Sequence, residues 1–268
     1  MKHTKTDHLP VLEVKGLTMD FGGLRAIDGV DMEIRHGEII ALIGPNGAGK
    51  TTFFNCITGI YTPTGGDVFV NTVKGVQRIN GKKPNQVTEL GLARTFQNIR
   101  LFPNMSVLEN VMIGRHCRTK TSVVGALLRG PFTRKEENES VSVSYKLLEK
   151  IGLDNLANEM AGNLSYGAQR RLEIARALAT EPVLVLLDEP AAGMNPQETE
   201  KLTELIREIR DKDKISVMLI EHDMKLVMNL SNRIYVMDHG QRIATGSPEE
   251  IRNNPAVIKA YLGEDTDA

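Results

Sequence analysis

The stretch Gly44-Pro45-Asn46-Gly47-Ala48-Gly49-Lys50-Thr51 lies between the apolar run Ile39–Ile43 and a helix expected from about Gly49 to Thr58, and it constrains this chain more than any other feature. It fits G-x-x-x-x-G-K-[ST] in the strand-to-helix context the pattern requires. Glycines at these places permit a backbone path whose N–H groups converge on phosphate oxygens, and the helix start adds a favourable dipole. On this reading Lys50 bridges the β- and γ-phosphates, Thr51 ligates Mg2+, and Thr52 belongs to the same phosphate-facing turn. Gly59 is placed to stop the helix.

Two further apolar runs also end at polar residues. Residues 183–187 open after Pro182 and close at Asp188-Glu189-Pro190, and residues 217–220 end at Glu221-His222-Asp223. After the first of these, Leu202, Leu205, Ile206 and Ile209 take the i, i+3, i+4, i+7 spacing of one helix face. Buried strands that deliver polar groups at their C-terminal ends make an open α/β sheet, which binds ligands at that edge. The acidic pair Asp188-Glu189 is expected on a strand neighbouring the phosphate loop. There Asp188 would hold Mg2+ through water and Glu189 would polarise an attacking water. An acidic pair at a strand end can also simply cap the next segment; its pairing with the phosphate loop gives it weight.

The two ends of the chain read differently. Residues 11–14, 30–34 and 67–70 resemble short alternating strands, and 234–237 with 241–245 flank Asp238-His239-Gly240 as a hairpin. An antiparallel β-rich lobe over the parallel core is the expectation. Ser247-Pro248-Glu249-Glu250 is a capping box that opens a last helix. From about Asn98 to Gly162 strand signals give way to helical ones: Val143, Leu147 and Ile151 share a face, Gly152 ends that helix, and 125–131 reads as a loop or hinge. The expected organisation is one domain over 11–264, with 98–178 as an inserted helical subdomain and frayed ends at 1–10 and 265–268.

Composition narrows the partners. The 33 basic and 34 acidic residues leave a charge of −1, and seven Phe, five Tyr and no Trp give few stacking platforms, so nucleic acid is not an expected partner. No apolar run approaches the roughly 18 residues of a membrane span, and residues 1–10 lack the apolar stretch of a secretion signal. Cys56 and Cys117 stand far apart, which suits reduced thiols. No Asn-Lys-x-Asp element for guanine is present, so ATP is the expected nucleotide, and a nucleotide or sugar kinase stays open at this point.

The stretch before the acidic pair separates these cases. Leu164-Ser165-Tyr166-Gly167-Ala168-Gln169 resembles the Leu-Ser-Gly-Gly-Gln signature of ATP-binding cassette (ABC) proteins, with Tyr166 and Ala168 as departures. Ser165 as an N-cap and the Gly167 N–H form a second anion site that could face a γ-phosphate. The resemblance implies a P-loop NTPase with a RecA-like core, and it assigns further roles. Gln97, in Thr95-Phe96-Gln97, would contact Mg2+ or the attacking water and sense a membrane partner; His222 would hold the γ-phosphate; Phe21 would stack on adenine. In the loop where many members carry Ser-Ala-Leu-Asp, this chain has Ala192-Gly193-Met194-Asn195, an amide in place of a carboxylate. The family pairs two ATPase subunits head to tail, so that Lys50 of one and the 165–167 segment of the other would share an ATP.

Gly22-Gly23-Leu24, residues 94–102, Ala191-Ala192-Gly193-Met194-Asn195-Pro196, Glu221-His222-Asp223-Met224 and residues 258–263 are similar to ATP-binding subunits of branched-chain amino-acid importers. That resemblance implies an ATPase at the cytoplasmic face of the inner or plasma membrane, bound to permease subunits and powering import of branched-chain or related amino acids. Urea or amide importers, a lipopolysaccharide exporter, and more distantly a soluble ABC protein or a nucleotide kinase are the alternatives. From Arg94 to Lys135 there are eight Lys or Arg against the single acid Glu109, a local balance of +7. A solvated polar face explains this as well as the sharper expectation, that Arg115, Arg118, Lys120 and Arg129 face acidic permease loops or anionic lipid.

Overall fold

The computed structural model describes residues 9–72, 75–118 and 131–262, and their strands fall into two sheets. β1 (Leu12–Phe21), β2 (Leu24–Ile34), β4 (Gly65–Thr72) and β5 (Gly75–Arg78) form an antiparallel sheet in the order β2-β1-β4-β5. β3 (Ile39–Ile43), β6 (Leu92–Arg94), β7 (Leu184–Asp188), β8 (Ser216–Ile220), β9 (Arg233–Asp238) and β10 (Gln241–Gly246) form the second, ordered β10-β9-β3-β8-β7-β6. All are parallel except β10.

The continuous apolar runs follow from burial on both faces of this second sheet. Ile39, Ala41 and Ile43 point into one core, and Ile40 and Leu42 into the other. The same alternation separates Val185 and Leu187 from Leu184 and Leu186, and Val217 and Leu219 from Met218 and Ile220. The second core is closed by the antiparallel sheet, by α1 (Lys50–Ile57) through Phe53, Phe54 and Ile57, and by Val87 of α2 (Pro84–Glu89). The first is closed by α3 (Val107–Arg115), α4 (Pro131–Ile151), α5 (Tyr166–Leu178), α6 (Pro196–Asp211), α7 (Met224–Leu230), α8 (Pro248–Arg252) and α9 (Pro255–Leu262).

Two expectations are corrected. The hairpin at 234–245 joins the parallel core, where β9 pairs with β3, rather than the antiparallel lobe. β7 is not next to β3; β8 lies between them, with Leu42 and Asp188 both in register with Ile220. On α4 the expected face holds in part: Ile151 is buried and Leu147 packs against the same core, while Ser140, Ser144 and Leu148 carry the buried stripe one position round. Gly152 does end α4, at φ +67°. Most of the expected 125–131 loop falls outside the described residues.

Candidate functional site

The phosphate loop follows β3 and runs directly into α1. Gly44 has φ +151°, and a Cβ there would stand 2.0 Å from Met237 O; Gly49 has φ +95°, with Ala26 O at 2.7 Å from such an atom. Only glycine satisfies both the backbone conformation and the space at these two places. Lys50 opens α1 and is buried, with Nζ donating to Gly44 O at 2.6 Å and to Pro45 O at 2.8 Å. Asn46, Gly47 and Thr51 are exposed, Pro45 and Ala48 are buried, and Gly49 and Thr52 are half-buried. The loop therefore presents a surface turn with an ammonium directly beneath it, an arrangement suited to a polyphosphate.

Two strands across, beyond β8, the acidic residues meet their partners. Gln97 Nε2 donates to Glu189 Oε2 at 2.8 Å, and His222 Nε2 lies 2.8 Å from Glu189 Oε1. Two residues far apart in sequence thus converge on the carboxylate of a third. Glu189 has φ +47°, a left-handed conformation unusual for this residue type, and its N–H donates to Ile220 O at 2.9 Å. Asp188 is buried at the end of β7, with its carboxylate 2.8 Å from Arg94 Nη2. Arg94 also donates through Nη1 to Asn55 Oδ1 at 2.6 Å and Thr58 Oγ1 at 3.2 Å, and lies between the rings of Phe54 and Phe96. It ties the far end of α1 to the acidic strand. Glu221 accepts from the N–H groups of Ala191, His222 and Asp223; burial, more than the nearby Glu189 charge, holds its carboxyl above the ordinary range.

Ser165 and Gly167 sit at the head of α5. Ser165 Oγ accepts from Ala168 N at 3.4 Å, and a Cβ on Gly167 would meet Glu198 Oε1 at 2.3 Å. The Tyr166 ring rests against Gly193, so the departure from glycine at this place covers the loop before α6. Asn195 is the N-cap of α6, accepting from Glu198 N at 3.0 Å while Glu198 returns a carboxylate to Asn195 N. Phe21 closes β1, is exposed, and packs edge-on against Tyr61 with ring centres 5.3 Å apart.

Arg94, Glu221, Arg170 and Glu173 were not assigned to the site from sequence. Arg94 stands beside Thr95-Phe96-Gln97, yet by charge alone it counts as one of a basic run. Within that run Arg115 is buried with Nη1 2.8 Å from Glu181, and Arg118 Nε donates to Thr180 O at 2.6 Å, whereas Arg100, Arg134 and Lys135 are exposed. Lys120 and Arg129 lie outside the described residues.

A family model described as ABC transporter matches residues 27–192. The chain belongs to this ABC transporter family. A second model, branched-chain amino acid ATP-binding cassette transporter, matches 241–267, which takes in β10, α8 and α9. The chain is 51% identical over 95% of its length, and 98% of the relative's, to the high-affinity branched-chain amino acid transport ATP-binding protein LivG of Escherichia coli. It also resembles the solved ADP conformation of MJ1267, an ABC transporter cassette, with TM-score 0.81 and 34% identity over 95% of this chain and 99% of that one. The dimeric cassette MJ0796, bound to ADP and Pi after hydrolysis, is 25% identical at TM-score 0.73, over 88% of this chain and 98% of that one. As a member of the family, this cassette is an α/β P-loop ATPase that binds ATP and couples its hydrolysis to transport. Among the described residues no helix is long and apolar enough to cross a membrane.

Proposed function

We propose that this chain is the ATP-hydrolysing subunit of an importer of branched-chain amino acids, with Glu189 as the base that polarises the attacking water. The observation that carries the hydrolytic half is the convergence of Gln97 and His222 on Glu189, beside Asp188 and two strands from the Lys50 loop. The cargo half is supported by the similarity to LivG and by the second family match at 241–267.

The phosphate chain would lie on the turn formed by Gly44, Pro45, Asn46, Gly47, Ala48 and Gly49, with Lys50 transferring its donors from Gly44 O and Pro45 O toward the β- and γ-phosphates. Phe21 would stack on adenine, and Thr52 would complete the turn. Thr51, Asp188 and Gln97 offer only oxygen donors once the Gln97 amide nitrogen is on Glu189, a set that suits Mg2+. When bound, that ion supplies neutralisation of phosphate charge. Glu189 holds the water, Gln97 and His222 fix the carboxylate's orientation, and His222 reaches the γ-phosphate.

Ser165 and Gly167 would meet the ATP of a second ATPase subunit, identical or related, head to tail; the dimeric MJ0796 structure supports that arrangement. A cleft of about 690 Å3 borders Arg94, Glu173 and Arg176 beside the Gln97 segment and reaches Ile113 and Cys117, which suits a permease segment at the cytoplasmic membrane face. Mg-ATP turnover by the purified chain tests the hydrolytic reading. Glu189→Gln should lower kcat by at least about a hundredfold while ATP affinity stays within about threefold. Wild-type turnover in Glu189→Gln, or phosphate transfer to a small acceptor instead of water, would contradict it.

A further inference from the structure

β6 ends at Arg94, whose guanidinium joins two elements that the sheet itself does not connect. Nη2 donates to Asp188 Oδ2 at 2.8 Å, at the end of β7. Nη1 donates to Asn55 Oδ1 at 2.6 Å and to Thr58 Oγ1 at 3.2 Å, in the last turn of α1 and at its C-cap. Thr58 Oγ1 gives its own proton to Phe54 O at 2.6 Å, which leaves the oxygen ready to accept from Arg94. The rings of Phe54 and Phe96 cover the guanidinium, with centres 5.5 and 5.2 Å away. α5 holds the Phe96 backbone in place: Arg170 Nη1 donates to Phe96 O at 2.6 Å, and Glu173 Oε1 accepts from Phe96 N and Arg100 N, each at 3.4 Å.

The Arg94 and Asp188 side chains are only 8% and 6% exposed. Attraction within such a pair offsets the lost hydration only when the remaining polar atoms find partners. Asn55, Thr58 and the two rings provide for all but Nε, which is buried with no partner among the described residues. A lysine would carry the charge but not the planar fork that meets β7 and α1 at once. The fork matters because β8 lies between β3 and β7, so no strand ladder runs directly from the phosphate loop to Asp188. Arg94 braces Asp188 against the far end of α1, and that eight-residue helix opens with Lys50 and Thr51. The brace takes one carboxylate oxygen only; Oδ1 of Asp188 has no hydrogen-bond partner among the described residues.

We propose that Arg94 is a positioning residue that fixes Asp188 relative to Thr51, and so makes the site prefer Mg2+ to larger divalent ions. Mg2+ requires near-ideal octahedral geometry and suffers when a ligand drifts, whereas Ca2+ accepts more ligands in looser arrangements. The preference rests on the ATPase reading above; the brace does not.

Binding of a non-hydrolysable ATP analogue to the full-length protein, in saturating Mg2+ or saturating Ca2+, tests the preference without turnover. The quantity read is the ratio of Kd in Ca2+ to Kd in Mg2+. Removal of a positive charge alone would favour both ions alike and cancel in this ratio. Arg94→Met should lower it at least about tenfold, and Arg94→Lys, which keeps the charge without the fork, should lower it too. An unchanged ratio in Arg94→Met overturns the proposal, and an unchanged ratio in Arg94→Lys alone overturns the brace in favour of charge. If neither variant folds, Asn55→Ala, which cuts only the α1 side, is judged instead: a fall of at least about threefold supports the proposal and the wild-type ratio overturns it. Equal Kd values in the two ions for the wild type overturn the preference. Hydrogen exchange reads the brace by itself. In Arg94→Met the 54–61 peptide should exchange at least about fivefold faster with the β3 peptide unchanged. Wild-type exchange at 54–61 overturns the brace, as does an equal rise at β3, which marks general loosening. A wild type that does not bind the analogue defeats the ATPase reading, and faster exchange at 54–61 then leaves the brace in place.

Discussion

At the scale of single residues, the phosphate loop illustrates how one atom decides what a position tolerates. Gly44 and Gly47 both have positive φ, at +151° and +78°, but a Cβ on Gly44 would collide with Met237 O whereas Gly47 has nothing within 4 Å. Gly44→Ala should therefore cost at least about 3 kcal/mol in urea unfolding or prevent folding, and Gly47→Ala only about 1 kcal/mol of backbone strain. Equal losses at the two positions would contradict this account. Lys50, Asp188, Glu189 and Thr51 are legible in the sequence because motif and strand end coincide. Arg94 and Glu173 are not, since their roles depend on neighbours 94 and 73 to 77 positions away, which no local pattern records.

Among the elements, the three buried strands around the site are readable because burial on both faces leaves continuous apolar runs. Four consecutive residues of β9, Ile234 to Met237, are buried too, and that run was the signal that it belongs to the core. The turn at Asp238-His239-Gly240 drew attention to a hairpin instead, and β10, largely exposed at the sheet edge, fits a hairpin as well as a core edge. β6 has three residues, too few to carry any periodicity, although it launches the Gln97 segment. In the loop before α6, Asn195 serves as the N-cap of that helix, a role the carboxylate of the common pattern would fill equally well. Asn195→Ala should lose about 1 kcal/mol of unfolding free energy, while Asn195→Asp, which caps equally well and suits the helix dipole, should stay within about 0.5 kcal/mol of the wild type. A larger loss for Asp than for Ala would show that the amide serves something other than the cap.

For the whole molecule, the division of labour is set by which sheet edge and which helix each group occupies. Lys50, Asp188, Glu189 and His222 gather at the C-terminal ends of β3, β7 and β8, whereas Ser165 and Gly167 head α5 against Gly193 and Glu198. In the proposed head-to-tail dimer the two sets would meet at one nucleotide. Glu189→Gln, which holds ATP without hydrolysing it, should sediment at twice the mass of the chain in Mg-ATP and as a monomer in Mg-ADP. If a related second subunit is the partner, the same shift should appear only in the mixture; a monomer under both conditions would contradict the composite site. If hydrolysis at Glu189 drives entry of branched-chain amino acids, uptake of labelled leucine at low external concentration in the native cell depends on that carboxylate. With the single substitution Glu189→Gln in this chain, initial uptake should fall at least about tenfold while the transporter still assembles; uptake equal to the wild type would contradict the claim.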